Sequence, residues 1–342
     1  MTQTSVAQTS VNNPQMFPKL RENIWHINPE SATALLITSQ ESFEVPTEAA
    51  LKFLKMRSYC TGHHSVEDIA NKSGLSVEEV SSILQSLENI DLLCSSSNLN
   101  EKFALEDVRN ALMRVCDIWS DELRHTYIGN EFALGKLPKT ALIGWLLEMY
   151  HYIKDFPYAI EHGANHAKGK LKDVLVKYAN EEKGHEEFVV QTLMNLGLSR
   201  QEIETSVPLL STRMIGFLMR ELFELEPASP LVVAAVIEAQ EFDQEQIQLF
   251  KVKLDEYYGV GAQTFDPYFE HQKIDVGLGH AQLLASNLDL IEIDALPQLN
   301  QLVNKIHDLK HAFDLQGLEI KEYFTTLNGK YVPRQPIDFT SI

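Results

Sequence analysis

The 342-residue chain has few cysteines, a shortage of positive charge and no long apolar run. Its three cysteines form no CxxC pair, which argues against a disulfide framework or a zinc ribbon and is typical of a reducing compartment. There are 29 basic residues against 48 acidic ones, a net charge of −19, so we expect no binding to nucleic acid or anionic lipid. The sequence has no secretory signal pattern and no apolar stretch near the length of a membrane span. We therefore expect a cytoplasmic protein without a membrane partner.

The chain divides into parts of different character. Residues 1–16 are rich in Ser, Thr, Gln and Asn, which predicts a disordered tail. Residues 17–97 combine short β-branched and aromatic runs with helical segments, which predicts a small α+β winged-helix domain. Residues 98–296 have long helical periods and predict a mainly α bundle, and residues 297–342 predict a last helix and an extended tail. The helices expected in the bundle span residues 103–128, 139–167, 169–196, 201–224, 229–258 and 266–290.

The small N-terminal domain has a helix-turn-helix pattern around its GLS turn. Residues 65–95 hold one base, Lys72, against six acids, and the would-be recognition helix, 76–88, has no Lys or Arg to contact phosphate or guanine. DNA binding is therefore disfavoured. The order of strands and helices, ending in IDLL, resembles the PqqD-like peptide chaperone of pyrroloquinoline quinone assembly. That resemblance implies recognition of a leader peptide by strand addition, and a dimerisation or packing module is the alternative.

Two polar residues of the bundle occupy a face that is otherwise apolar. In the helix from residue 171, apolar residues with three-four spacing form an inward stripe, and its two remaining positions are Glu182 and His185. A buried carboxylate and imidazole one turn apart are costly unless they pair or bind a metal. Their ExxH spacing is the one by which a helix offers both ligands to one iron in di-iron bundles, although charged surface helices also produce it.

Two glutamates in other predicted helices follow the same rule. Glu148 lies on the apolar side of the segment GWLLEMYHYI, and Glu238 lies on a stripe that runs from Leu231 through Phe242 to Leu249. Neither has a Lys or Arg one turn away to neutralise it, although each alone also fits a core carboxylate paired at a distance. Taken with the other inward acids and histidines, they indicate iron or manganese as the metal, since zinc prefers fewer ligands rich in nitrogen and sulfur.

The segment HQKIDVGLGH holds another set of candidate ligands. His271 and Asp275 are four apart, so they lie about 40° from each other around a helix, whereas a regular helix would point His280 away. Gly277 and Gly279 between them tolerate a bulge or a change of helix direction. We therefore predict that the helix unwinds locally and that His280 turns back toward the other two residues.

In this order the motifs resemble those of the heme-oxygenase-like di-iron oxidases and oxygenases, over roughly residues 105–295. Members of that family decarboxylate fatty acids, cleave chlorinated lysine or oxygenate guanidine nitrogens. The segments DFPYAIEHGA and EEKGHEEFVVQTLMNLGLS share the resemblance. The metal ligands that it implies are Glu148, Glu182, His185, Glu238, His271, Asp275 and His280. The family's usual DxxH spacing would fall on Leu278, so the DVGLGH of this chain implies a distorted or weak second iron site.

The resemblance implies a nonheme, O2-dependent oxidase or oxygenase that binds two Fe(II) per chain, with manganese as the other candidate metal. With a peptide-reading domain, its substrate would be a small amino-acid-derived molecule, a peptide or a carrier-bound residue in specialised metabolism. The implied partners are a leader peptide or carrier protein, an electron donor and a second copy of the chain in a homodimer. Two alternatives stay open: a cofactor-less enzyme of the same fold, of the quinone-biosynthesis or thiaminase type, and a non-catalytic peptide-binding scaffold.

Overall fold

The chain divides into two compact units, Met1–Asn98 and Leu99–Ile342. A computed structural model describes residues 17–21, 23–27, 31–38, 41–94, 102–238, 243–327 and 333–342. The tail expected over residues 1–16 lies outside the described residues. Among the described residues, no helix combines the length and the apolar character that crossing a membrane requires.

The N-terminal unit is an antiparallel sheet followed by three helices. Its strands are β1 (Asn23–Ile27), β2 (Thr33–Thr38) and β3 (Ser42–Pro46), paired in the order β1-β2-β3. Its helices are α1 (Thr47–Arg57), α2 (Val66–Ser73) and α3 (Val77–Asn89). Ser65 and Ser76 begin α2 and α3 with capping boxes, in which the serine and an acid three residues later each satisfy a free backbone N–H. The small sheet and its helices agree with the predicted α+β composition.

The second unit is built from twelve helices among the residues that the structure describes. They are α4 (Leu105–Thr126), α5 (Gly129–Ala133), α6 (Lys139–His166), α7 (Gly169–Glu182), α8 (Glu186–Asn195), α9 (Arg200–Thr205), α10 (Leu210–Leu225), α11 (Ser229–Ile237), α12 (Gln244–Tyr258), α13 (Asp266–Leu278), α14 (Leu283–Ser286) and α15 (Leu296–Thr325). The mainly helical character predicted for this part of the chain is confirmed.

Helix α6 is the centre of this unit and packs against α7, α8, α10 and α15. Its 28 residues include a run from Thr140 to Glu148 that is buried throughout, because neighbouring helices cover it on several sides. Gly144 lies where the ring of Phe324 from α15 comes closest, and a Cβ there would lie 2.3 Å from that ring. Glycine is therefore needed for α15 to pack this near to α6.

Four of the six predicted helices are broken in the structure: 201–224 divides into α9 and α10, 266–290 is interrupted after α13, and the other two breaks have clear local causes. The segment 169–196 divides into α7 and α8 because Gly184 adopts φ +92°, a left-handed conformation that ends a helix. In the segment 229–258, α12 begins afresh at Asp243 with a capping box of its own. The helical phase is therefore not continuous with α11, and Leu249, expected on the inward stripe, is 59% exposed. Phe242 lies outside the described residues.

The C-terminal region begins with α15, a helix of 30 residues. After it, residues 333–342 follow an extended path against the loop before α10. There the backbone N–H of Val207 donates to the carbonyl of Arg334 at 2.8 Å, and the Arg334 guanidinium donates to the carbonyl of Pro208. The tail is thus held by both backbone and side-chain hydrogen bonds.

Candidate metal centre

Six of the seven predicted ligands converge between α7, α8, α11 and α13, where they form two adjacent groups. One group consists of His185, His271 and Asp275, and the other of Glu182, Glu238 and His280. Within each group the candidate donor atoms all lie within 4.8 Å of one another. The two groups share neighbours, so we describe them together as the six-residue cluster.

The first group has two imidazoles and one carboxylate. His185 Nδ1 lies 3.1 Å from His271 Nε2 and 3.2 Å from Asp275 Oδ1, and His271 Nε2 lies 3.2 Å from Asp275 Oδ2. Neighbouring ligand atoms on an octahedral metal with bonds of about 2.1 Å lie about 3 Å apart. Two histidines and one carboxylate on one face are the donor set of many nonheme Fe(II) oxygenases, so this group has both the spacing and the chemistry of an iron site.

The second group has two carboxylates and one imidazole. His280 Nδ1 lies 2.8 Å from Glu182 Oε1 and 3.1 Å from Glu238 Oε2. Despite these short distances, none of the three atoms makes a well-aligned hydrogen bond, and all three are shielded from solvent. Buried polar atoms without partners are costly, and atoms that point at a common centre are satisfied together by a cation. The residues present therefore fit a bound divalent metal.

Glu182 lies between the two groups. Its Oε2 is 3.4 Å from His185 Nδ1, while its Oε1 contacts His280 in the other group. Asp275 has a similar position, since its Oδ1 is 3.2 Å from His185 Nδ1 and 3.9 Å from His280 Nδ1. Glu182 is therefore the residue best placed to bridge two metal ions.

The ExxH motif crosses the break between α7 and α8 instead of lying within one helix. Glu182 is the last residue of α7, and His185 immediately precedes α8. Even so, the inward stripe continues through the break, since Tyr178, Glu182, His185 and Val189 are all buried. The prediction that both ligands face inward is confirmed, although the single continuous helix was wrong.

The unwinding expected in HQKIDVGLGH is confirmed. His271 and Asp275 lie one turn apart on α13, which ends where Gly279 adopts φ +76°. The next three residues form a tight 3₁₀ turn that begins at His280. This turn brings the His280 side chain, 1% exposed, back among Glu182 and Glu238. The unusual spacing after Asp275 thus still delivers a histidine to the cluster.

Charge within the cluster is arranged as alternating acids and bases. Burial alone would raise the pKa of Glu182, but His185 and His280 beside it outweigh burial and lower that pKa to about 2. Conversely, burial would lower the pKa of His280, yet the adjacent carboxylates of Glu182 and Glu238 raise it to about 10. Burial would also lower the pKa of His185, but the carboxylates of Asp275 and Glu182 beside it raise that pKa to about 9. Without a metal, protons therefore take the place of the cation.

Glu148, the seventh predicted ligand, does not join either group. It is buried as expected, but its Oε2 accepts a hydrogen bond from the backbone N–H of Leu209 at 2.9 Å. Leu209 is the residue before α10, so the carboxylate caps the N-terminus of that helix. The structure thus gives Glu148 a structural partner on the α10 side of α6, whereas Tyr152, one turn later, faces the cluster side.

Two residues that contact the cluster, Tyr178 and Glu181, were not among the predicted site residues. The hydroxyl of buried Tyr178 donates to Glu238 Oε1, and its ring lies 4.9 Å from the His280 ring. Glu181 has its Oε2 3.5 Å from His280 Nε2. Tyr178 lies one helical turn before Glu182, and this spacing was a signal in the sequence that its side chain is near the cluster. No local pattern connects Glu181 with His280.

A cavity of about 230 Å³ adjoins the cluster. Its wall includes five of the six cluster residues, all except His185. Much of the remaining wall is apolar or aromatic and includes Trp145, Met149, Tyr152, Phe156 and Phe313. We call this space the chamber. A small molecule bound there would be in direct contact with the cluster and largely shielded from water.

The comparison with known families and structures agrees with this geometry. Residues 143–303 match a family model described as iron-containing redox enzyme, and that range contains all seven predicted ligands. A domain of unknown function from Shewanella denitrificans OS217, with a heme-oxygenase-like fold, is 17% identical with a TM-score of 0.53. That similarity covers 69% of this chain and 99% of the other. The second unit therefore has the heme-oxygenase-like fold that the sequence predicted.

Further solved structures resemble the chain more distantly. A TenA homologue from P. horikoshii OT3 is 16% identical with a TM-score of 0.46, over 64% of this chain and 99% of its own. A putative TenA-like thiaminase from Sulfolobus solfataricus P2 is 15% identical with a TM-score of 0.39, over 63% of this chain and 96% of its own. No curated protein matches the chain.

Proposed function

We propose that this protein is an iron-containing redox enzyme that uses two Fe(II) ions and dioxygen to oxidise or oxygenate a small organic substrate. The supporting observation is the six-residue cluster, whose two ligand groups lie side by side and contribute five residues to the wall of a largely apolar chamber. Bound iron would supply the reaction with dioxygen. Two metal ions with Glu182 between them are proposed because of the distances within and between the two groups.

Both donor type and charge favour iron. One group offers two imidazoles and a carboxylate, the set found in nonheme Fe(II) oxygenases, and the other offers two carboxylates and an imidazole. Three ionised carboxylates leave two divalent ions with one net positive charge, so nearly all of the added charge is balanced locally. Manganese accepts the same donors and is the second candidate metal.

The protein's own residues have three tasks in this proposal. The cluster residues hold the metal ions, and the Tyr178 hydroxyl fixes the orientation of Glu238. The aromatic wall of the chamber orients the substrate and excludes water. We propose an amino-acid-derived, peptide or carrier-bound molecule as that substrate. An electron donor completes the reaction, and a homodimer is the proposed assembly.

For the N-terminal unit we propose recognition of a leader peptide or a carrier protein. Its support is the resemblance to PqqD-like domains together with the observed sheet, whose order leaves β1 and β3 as edge strands. Main-chain hydrogen bonds to an edge strand are a common mode of peptide binding. A short reading frame encoding a precursor peptide beside the gene, and binding of that peptide to the full-length chain, are the expected findings. A precursor peptide that leaves the full-length chain unbound would contradict this role.

The test of the metal proposal is iron content after anaerobic loading with Fe(II) and desalting. We expect about two irons per chain, together with oxygen consumption by the loaded protein that the metal-free protein lacks. Absence of bound iron would contradict the proposal and favour the cofactor-less alternative. One iron per chain would contradict its dinuclear form, and bound iron without any reaction with oxygen would contradict its oxidase form.

A further inference from the structure

The charged side chains in the wall of the chamber limit which ligands it can bind. Outside the six-residue cluster, Asp314 is the only charged side chain among the described residues of its wall, and that wall has neither Lys nor Arg. A carboxylate or phosphate on a ligand would therefore meet no lysine or arginine there, and the imidazole of His280 in the wall is already paired with Glu182 and Glu238. A positively charged ligand, in contrast, has a carboxylate available outside the cluster.

One oxygen of Asp314 makes no hydrogen bond within the described residues and is the candidate acceptor for such a ligand. Its Oδ1 accepts a hydrogen bond from the hydroxyl of Thr126 at 2.6 Å. Its Oδ2 is 3.8 Å from Lys310 Nζ, beyond hydrogen-bond distance, because that ammonium lies 2.6 Å from Glu122 instead. Thr126 is exposed and lines the chamber, so this carboxylate lies where the chamber meets solvent.

Gln272, in the same wall, also has an oxygen that makes no hydrogen bond. Gln272 donates through its Nε2 to the Tyr268 hydroxyl at 3.4 Å, whereas its Oε1 is shielded from solvent and makes no hydrogen bond. Unpaired buried acceptors select ligands that donate hydrogen bonds. A primary ammonium group offers three N–H donors and a positive charge, and thus suits an acidic wall in which Asp314 has an oxygen without a hydrogen bond.

We propose that the chamber binds a primary amine with an aromatic or apolar body and no free carboxylate, and that Asp314 holds its ammonium group. As a substrate assignment this rests on the proposed function. It specifies the chemistry of that substrate: an acyl end, where present, is neutral, as in an amide or a thioester. Asp314 is then the residue that determines specificity for the amine.

The test is calorimetric titration of the full-length protein, both metal-free and loaded anaerobically with Fe(II). The probes are phenethylamine and 3-phenylpropionate, which share an aromatic body but carry opposite charges. We expect phenethylamine to bind both forms of the protein and 3-phenylpropionate to leave the metal-free form unbound. Asp314→Asn is expected to weaken amine binding by roughly tenfold, the usual effect of losing one charged hydrogen bond, and Asp314→Glu to restore part of it.

A matched control is available on the same helix. Asp308 is exposed and does not line the chamber, so Asp308→Asn removes the same charge without affecting the amine. Thermal unfolding of both variants verifies that Asp314→Asn remains folded. Binding of 3-phenylpropionate to metal-free protein as tightly as the amine, absence of amine binding, or equal effects of the two substitutions would overturn the proposal. If iron binds but the amine does not, this inference alone fails, whereas amine binding by a protein that takes up no iron on loading contradicts only the proposed function.

Discussion

Glu148 and Glu182 are both buried glutamates of the helical unit, with exposed fractions of 1% and 4%, but their carboxylates meet different surroundings. Glu148 accepts a hydrogen bond from the Leu209 N–H, and no histidine is among the groups that set its pKa. Burial raises that pKa to about 7. Glu182 lies beside His185 and His280, and its pKa falls to about 2.

The comparison shows that burial of an acid does not by itself indicate a metal ligand. What distinguishes the two sites is whether the carboxylate oxygens are already satisfied by the protein. The backbone uses Glu148 to begin α10, whereas Oε1 of Glu182 makes no hydrogen bond and points, with Glu238 and His280, at a shared centre. The same substitution made at both glutamates therefore tests whether Glu182 binds metal and Glu148 does not.

The largest contrast is expected in metal content. Glu182→Gln replaces the carboxylate that lies between the two groups by a neutral amide, which binds a divalent metal poorly, so at least one of the two proposed irons should be lost. Glu148→Gln should retain both irons, because Gln still accepts the hydrogen bond from Leu209. Iron analysis of both variants after anaerobic loading measures the difference. Equal losses in the two variants would contradict the separation of Glu148 from the cluster.

The second contrast concerns stability against pH. The folded-state pKa of Glu148 is about 7, above its ordinary value of 4.5, so its contribution to stability is fully present below pH 4.5 and is lost as the pH rises through about 7. Glu148→Gln removes this dependence. Relative to the wild type, we expect the variant's free energy of unfolding to rise by at most roughly 3 kcal/mol between pH 4.5 and pH 8. Urea unfolding at several pH values measures this, and a difference that does not change with pH would contradict it.

A smaller effect is expected at Glu238, another carboxylate of the cluster. Tyr178→Phe removes the hydroxyl that donates to Glu238, and losing such a supporting hydrogen bond typically weakens metal binding by about tenfold. Tyr150→Phe is the control, because the buried Tyr150 hydroxyl accepts from Lys154 and does not line the chamber. Competition with a metal-chelating dye measures both affinities. Equal affinities of the two variants would show that Tyr178 does not support the site.

The smallest effect concerns the turn that brings His280 to Glu182. Gly279 has φ +76° and open space around its Cβ position, so Gly279→Ala should cost about 1 kcal/mol through backbone strain alone. Gly277 lies within α13, also with open space, so Gly277→Ala should stabilise the helix by about 0.5 kcal/mol. Chemical unfolding distinguishes the opposite signs. A destabilising Gly277→Ala or a neutral Gly279→Ala would contradict the role assigned to this turn.

Local patterns predicted much of the fold and most of the cluster. Apolar spacing predicted helices wherever one face is continuously buried, and polar residues on that face identified Glu182, His185, Glu238, His271 and Asp275 as inward. The glycines of DVGLGH also indicated the turn that recovers His280. These inferences succeed because they depend on a few neighbouring residues.

Other features depend on which helix packs on which face, and sequence spacing does not contain that information. Helix α6 is covered on several sides, so an inward Glu148 can face either α7 or α10, and tertiary packing places it toward α10. The breaks at Gly184 and Asp243 arise from a left-handed residue and a cap, and they shift the phase of the following helix. The approach of Glu181 to His280 likewise requires two distant segments to meet.

The most direct measurement is anomalous X-ray diffraction at the iron edge from crystals of the protein loaded anaerobically with Fe(II). The account predicts two iron peaks, one bound by His185, His271 and Asp275 and the other by Glu182, Glu238 and His280, with none at Glu148. A single peak, an iron at Glu148, or crystals without bound iron would contradict it.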